Sequence, residues 1–143
     1  MELADVVRQL ARALHLPDLS PQPDGSAAFR VQGIAVLLAP RPAGEPAFVA
    51  RARLGALAGD AVQCLPALMS ANFFADGIGG AVASLDAQAD VYLTQHFDLR
   101  STSFAQVMAS LEHFVAHACR CQALLPSPAD AAPPPLDLVA VRA

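Results

Sequence analysis

Leu68-Met-Ser-Ala-Asn-Phe-Phe-Ala-Asp-Gly-Ile-Gly-Gly-Ala-Val-Ala-Ser-Leu-Asp86, with Val91-Tyr-Leu-Thr-Gln-His-Phe97 and Asp98-Leu99 close behind, contains the change of hydrophobic period that decides the fold. Up to Phe74 the apolar residues crowd the end of a helix. Gly77, Gly79 and Gly80 then permit a tight, close-packed turn. Strand-like stretches follow in Ala81–Leu85 and Val91–Phe97, so the helix hands over to a strand pair joined by residues 86 to 90.

Upstream, the spacing predicts that this helix starts after an Asp60 N-cap and carries Val62, Leu65, Leu68, Met69, Ala71, Phe73 and Phe74 on nearly all sides. Such a helix must be covered twice. One face can pack on the sheet of its own chain, and the other then needs a second subunit, which argues for a homodimer with Leu65, Leu68, Met69 and Phe73 at the interface. Pro66 removes a backbone donor, so it either kinks the helix or moves its start.

Further toward the N-terminus, Phe29 and Val31 alternate with Arg30 and Gln32, Gly33 offers a turn, and Ile34, Val36 and Leu38 continue the period of two to Pro40. That is a hairpin. After a Pro/Gly-rich loop, Phe48, Ala50, Ala52 and Leu54 alternate with Val49, Arg51 and Arg53, a third strand whose basic face reads as solvated. Gly55 and Gly59 loosen the chain beyond it. Leu3, Val6, Val7, Leu10 and Leu14 recur at helical spacing until Pro17, and the loop chemistry of residues 17 to 26 separates this first helix from the hairpin. At the other end Ser103 caps a last helix with a stripe through Phe104, Val107, Met108, Leu111, Phe114, Val115, Ala118 and Leu125. The expected fold class is therefore α+β: one domain over residues 1–125, in the order α-β-β-β-α-β-β-α, with three helices and a twisted antiparallel sheet. Pro126, Pro128 and Pro133 to Pro135 among alanines mark residues 126–143 as a disordered Pro/Ala-rich tail.

Composition narrows the function. With 143 residues, one hydrophobic core is the natural expectation. Apolar residues make up 55% and charged residues only 15%, more than burial requires, so some apolar surface should face a partner. All nine basic residues are Arg, acids number thirteen, and the formal charge of −4 is spread without a basic stripe, which excludes a nucleic-acid footprint. Glu2 and Asp5 stand where a secretory signal needs a basic start, and the most apolar window, Leu65 to Leu85, is broken by Pro66, Asn72 and Asp76. No membrane insertion is expected. Three cysteines without CxxC spacing suit a reducing compartment, so the expected location is cytoplasmic.

Catalytic and cofactor patterns fail one by one. Gly77-Ile-Gly-Gly lacks the glycine that GxGxxG would place at Val82, and no GK[ST] follows. No GxSxG surrounds Ser70, Ser84 or Ser103, and the acids are scattered singly. His113, His117 and Cys121 lie at successive steps of four on the last helix and are candidate metal ligands, with a small metal-dependent enzyme as the corresponding function. The plainer reading is a polar helix face, with no fourth ligand fixed by spacing. Cys119 and Cys121 point about 200° apart on a helix, which disfavours a redox pair. The expectation is a binding module without catalytic residues, metal or cofactor.

The run Leu68 to Asp86, with Val91-Tyr-Leu-Thr-Gln and Phe97-Asp-Leu99, resembles the class I type III secretion chaperones, the CesT/Tir-chaperone family. Those proteins show a leucine-rich helix ending in Ala-Asn-Leu-Phe, a Gly-x-Gly-Gly turn, a strand closing in Leu-Asp and a strand ending near Leu-Pro-Leu. Ala71-Asn72-Phe73-Phe74, Gly77 to Gly80 and Leu85-Asp86 match in that order, Phe97-Asp98-Leu99 stands in the last place, and the likeness covers about Met1 to Leu125. Pro66, Asp90 in place of a common turn glycine, and the proline-rich tail depart from the pattern.

The resemblance implies an α/β homodimer that holds the N-terminal chaperone-binding segment of a secreted effector extended, without ATP, for delivery to a secretion apparatus. That task needs apolar grooves and unpaired sheet edges. The candidate client surface is helix one with the first hairpin: Leu3, Val7, Leu10, Leu14, Phe29, Val31, Ile34, Val36 and Leu38. Each of these competes with plain core burial. The alternative function is a dimeric regulator or adaptor on the same fold.

Overall fold

The computed structural model describes residues 1–57, 63–73 and 80–125. Its elements run α1 (Leu3–Ala13), β1 (Ala27–Val31), β2 (Ile34–Pro40), a 3-10 turn (Pro42–Gly44), β3 (Ala47–Ala56), α2 (Leu65–Phe73), β4 (Val82–Leu85), β5 (Asp90–Asp98) and α3 (Phe104–Ala123). The expected element order is the observed one. The five strands form an antiparallel sheet in the order β1-β2-β3-β5-β4, so β1 and β4 are its edges.

Local chemistry accounts for the boundaries. Glu2 and Asp5 form a reciprocal capping box at the start of α1, and Ser103 and Gln106 form another at the start of α3. Gln32 and Gly33 both take positive φ, 50° and 77°, the signature of the two-residue turn that suits a right-twisted hairpin. In the link between β4 and β5, the Asp86 carboxylate accepts from the N–H groups of Gln88 and Asp90, while Ala89 sits at φ 62°. The αL position is thus occupied by an alanine one residue before Asp90.

α2 begins at Leu65 rather than at Asp60. Pro66 therefore falls in the first helical turn, where its missing N–H removes no intrahelical bond, and of the two outcomes expected for it the moved start is the one observed. Asp60, Val62, Phe74, the turn glycines Gly77 and Gly79, and residues 126–143 lie outside the described residues.

One face of the sheet carries the core. Ile34, Val36 and Leu38 of β2, Phe48, Ala50, Ala52 and Leu54 of β3 and Val91, Leu93 and Phe97 of β5 are buried beneath α3, which runs across β2, β3 and β5, with α1 beside it. Phe48 and Phe97 sit opposite one another and stack with ring centroids 4.6 Å apart. On the other face Arg53 corrects the expectation of a solvated basic strand. It donates to Asp90 at 2.8 Å, and the two side chains are only 17% and 19% exposed.

Candidate functional site

The apolar surface that the composition calls for takes the form of an open groove of about 400 Å³ beside the sheet edge. Leu10 of α1 and Leu14 at its C-cap form one wall, and Phe29 and Val31 of β1 form the floor nearest the edge. The opposite wall is the N-terminal half of α3, with Met108, Leu111, Val115 and Ala116. Two polar side chains, Gln32 of the hairpin turn and Glu112 of α3, complete the lining. Gln32 is also reached by the Cys119 thiol, which lies 3.8 Å from its Oε1.

The groove follows from how the hairpin meets the helices. Phe29 and Val31 share the core face of β1, but β1 is an edge strand and neither is fully covered. Leu14 is half-buried at the C-cap of α1. An apolar trough between two helices and an edge strand suits an extended peptide: side chains fill the trough, and main-chain groups can pair with β1. The outward-facing backbone groups of β1 have no side-chain partner among the described residues.

Four of the nine candidate client residues, Leu10, Leu14, Phe29 and Val31, come together in this groove. Leu3, Val7, Ile34, Val36 and Leu38 are buried in the core of the protomer and do not line it. Met108, Leu111, Glu112, Val115 and Ala116 were not among the candidates. The signal for Met108, Leu111 and Val115 is the apolar stripe of the last helix, which has the same period whether it meets the sheet or a groove, and Glu112 and Ala116 lie outside that stripe.

Of the candidate dimer residues, Leu68 is buried against the protomer's own core and Leu65 is half-buried, while Met69 is 69% exposed. The side chain of Phe73 lies outside the described residues. α2 packs against β4, where Val82 and Leu85 are also exposed, so this end of the molecule carries several large uncovered apolar side chains.

The histidine and cysteine positions of α3 do not converge. His113 is exposed, whereas His117 and Cys121 are buried, so the plain polar face expected for all three holds only for His113. The His117 Nε2 lies 3.5 Å from the Cys121 Sγ, and Arg120 approaches the His117 Nδ1 at 3.5 Å. Burial, with Arg120 adding to it, pushes the His117 pKa down, and burial pushes the Cys121 thiol up. Neutral imidazole and protonated thiol is the chemistry of an inert interior pair rather than of a nucleophile. Among the described residues no group of three or more His, Cys, Asp or Glu side chains is placed to hold a metal ion, and no helix is long and apolar enough to cross a membrane.

The chain thus presents a five-stranded antiparallel sheet with an apolar groove beside its β1 edge. Comparison with solved structures places the chain beside a chain of the Yersinia pestis chaperone SycH in complex with a YscM2 fragment, at 23% identity and TM-score 0.65, covering 83% of this chain and 98% of that one. The ExsC–ExsE complex gives 20% identity and TM-score 0.71 over 90% and 100% of the two chains. The ExoU–SpcU complex of Pseudomonas aeruginosa gives 13% identity and TM-score 0.63 over 86% and 98%. The family profile of the Tir chaperone protein (CesT) family matches residues 5–122, and the chain belongs to that family. Comparison with curated proteins gave no match.

Proposed function

We propose that the protein is an ATP-independent type III secretion chaperone that holds the N-terminal segment of a secreted effector extended across the groove and along the β1 edge, in the bacterial cytosol, for delivery to the secretion apparatus. The observation that carries this is the juxtaposition of the open apolar groove with an edge strand that, among the described residues, is paired with a strand on one side only. Solved structures with the same fold include the HopA1–SchA chaperone–effector complex and the ExoT–SpcS complex of Pseudomonas aeruginosa. Leu10, Leu14, Phe29 and Val31, with the α3 wall, form the client surface. Leu3, Val7, Ile34, Val36 and Leu38 support it from the core. The working unit is a homodimer built on α2, with Met69 at the interface and Leu65, Leu68 and Phe73 beside it, and it does no chemistry on its client.

Affinity capture from a secreting bacterium, with identification of the bound protein and light scattering on the purified chain, tests this. The expected result is a dimer bound to one or a few secreted proteins, each lost when its N-terminal region is deleted. A monomer that retains no such segment overturns the proposal.

A further inference from the structure

An antiparallel sheet open at both edges offers two places for an added strand, and the two edges of this one differ. At β4, the carboxamide of Asn72 on α2 lies against the backbone of Ala83. The Ala83 N–H donates to Asn72 Oδ1 at 2.7 Å, and Asn72 Nδ2 donates to the Ala83 carbonyl at 2.9 Å. In an antiparallel ladder the N–H and C=O of one residue point to the same side, and successive residues alternate between the partner strand and the opposite side. Both polar groups of Ala83 are taken by Asn72, so they face away from β5. The groups of Val82 and Ser84 then face β5, with which the strand is paired. Of the four residues of β4, only Ala83 and Leu85 present backbone groups outward, and the side chain of Asn72 satisfies both groups of the first.

We propose that Asn72 acts as a surrogate strand that closes the β4 edge, so that an extended polypeptide can add to this sheet only at β1. The carboxamide reproduces the donor and acceptor pair of a neighbouring peptide unit. An incoming strand at β4 would have to break both of its bonds to gain two of the same kind. Among the described residues β1 carries no such plug. Asn72 also fixes α2 to β4, since the two bonds join residues eleven apart in sequence across the helix–strand boundary. Closing this edge matters because Val82 and Leu85 are exposed on β4, and an apolar edge strand with free backbone groups is a template for chain-to-chain pairing. The assignment of the added strand to β1 rests on the function proposed above, whereas the closure of β4 rests on the Asn72 bonds alone.

The test reads the two separately. In the unaltered protein, amide exchange followed by NMR is expected to be at least about tenfold slower at Ala83 than at Leu85, whose outward N–H has no such side-chain partner among the described residues. Equal rates at the two positions overturn the closure, and this measurement needs neither a variant nor a client. Asn72→Ala is expected to bring exchange at Ala83 up to that of Leu85 and to produce concentration-dependent association beyond the state of the unaltered protein by sedimentation velocity. Adding Ala83→Pro to Asn72→Ala, which removes the outward N–H at a position where an edge strand tolerates proline, is expected to reverse that association. Association that is absent in Asn72→Ala, or that persists in the double variant, overturns the proposal. Client capture by the unaltered protein is scored independently, so a failed client assay leaves the exchange result standing, and the reverse.

Discussion

Phe29 and Phe48 lie on the same face of the sheet, yet their truncation to alanine should damage different properties. Phe48 is fully buried and stacked on Phe97 with planes 4° from parallel. Phe48→Ala is expected to cost about 3–5 kcal/mol of stability, of which the ring pair supplies about 0.5–1.5. Against a total of about 5–15 kcal/mol for a domain, and with a urea slope near 2 kcal/mol per molar, that lowers the unfolding midpoint by about 2 M. Phe29 sits on the edge strand with part of its ring already facing the groove, so Phe29→Ala is expected to cost only about 1–2 kcal/mol. Its larger effect falls on the client. Burying one apolar anchor contributes about 1.5–3 kcal/mol, and removing the floor beneath it forfeits about half, which weakens binding roughly tenfold. Urea unfolding followed by circular dichroism gives the first quantity. Fluorescence anisotropy with a labelled N-terminal segment of the captured client gives the second. Phe29→Ala binding within about twofold of the unaltered protein, or no weaker than Arg51→Ala on the opposite face, refutes the placement of the client in the groove.

Three further outcomes follow from particular contacts. His117 is held below the ordinary imidazole value of 6.5, so the unfolded chain takes up its proton first. Its stabilising contribution is complete above 6.5 and declines as pH falls through that value toward the folded pKa, and His117→Gln should flatten this part of the stability–pH curve. An unchanged slope counters it. Asp90→Ala leaves the Arg53 charge mostly buried without its partner and should cost about 1–3 kcal/mol in urea unfolding, more than Arg53→Met. Ser103→Ala removes the cap that accepts from the Gln106 N–H and should cost about 1 kcal/mol, with Ser103→Asp close to neutral.

The elements themselves were legible because each carries its own period. The Phe29–Val31 and Ile34–Leu38 alternation, the Gly33 turn, the Leu3–Leu14 stripe and the Ser103 cap all encode local geometry within a few residues. What covers a stripe is a different matter. Ile34, Val36 and Leu38 alternate just as Phe29 and Val31 do, and only their place one strand further in puts them beneath the helices rather than beside the groove. Met108, Leu111 and Val115 belong to one apolar face with Phe114 and Ala118, so the far wall of the groove had no separate signature. The second half of α3 sits deep: Gln122 donates to the Leu54 carbonyl, and the Leu125 side chain fills the space that a Cβ on Gly55 would need, 3.3 Å from where that atom would stand. This depth buries His117 and Cys121 on a face that spacing alone reads as polar. The pairing of Arg53 with Asp90 spans 37 residues, and that of Asn72 with Ala83 depends on where α2 lands on β4. Neither leaves a mark in local composition.

The two-residue turn at Gln32 and Gly33 does more than reverse the chain. It sets Phe29 opposite Val36 and Val31 opposite Ile34, and so determines which side chains of β1 look into the groove. Side chains alternate with a period of two, so a slip of β1 by a single residue would send Phe29 and Val31 to the far face and bring Ala28 and Arg30 into their places. The floor would change from aromatic and aliphatic to methyl and guanidinium with no change in amino-acid content. With the client placed in the groove as proposed above, its selection is exposed to insertions and deletions at one turn, and a chaperone of this design can acquire a different client through a change in loop length as readily as through substitutions in the groove.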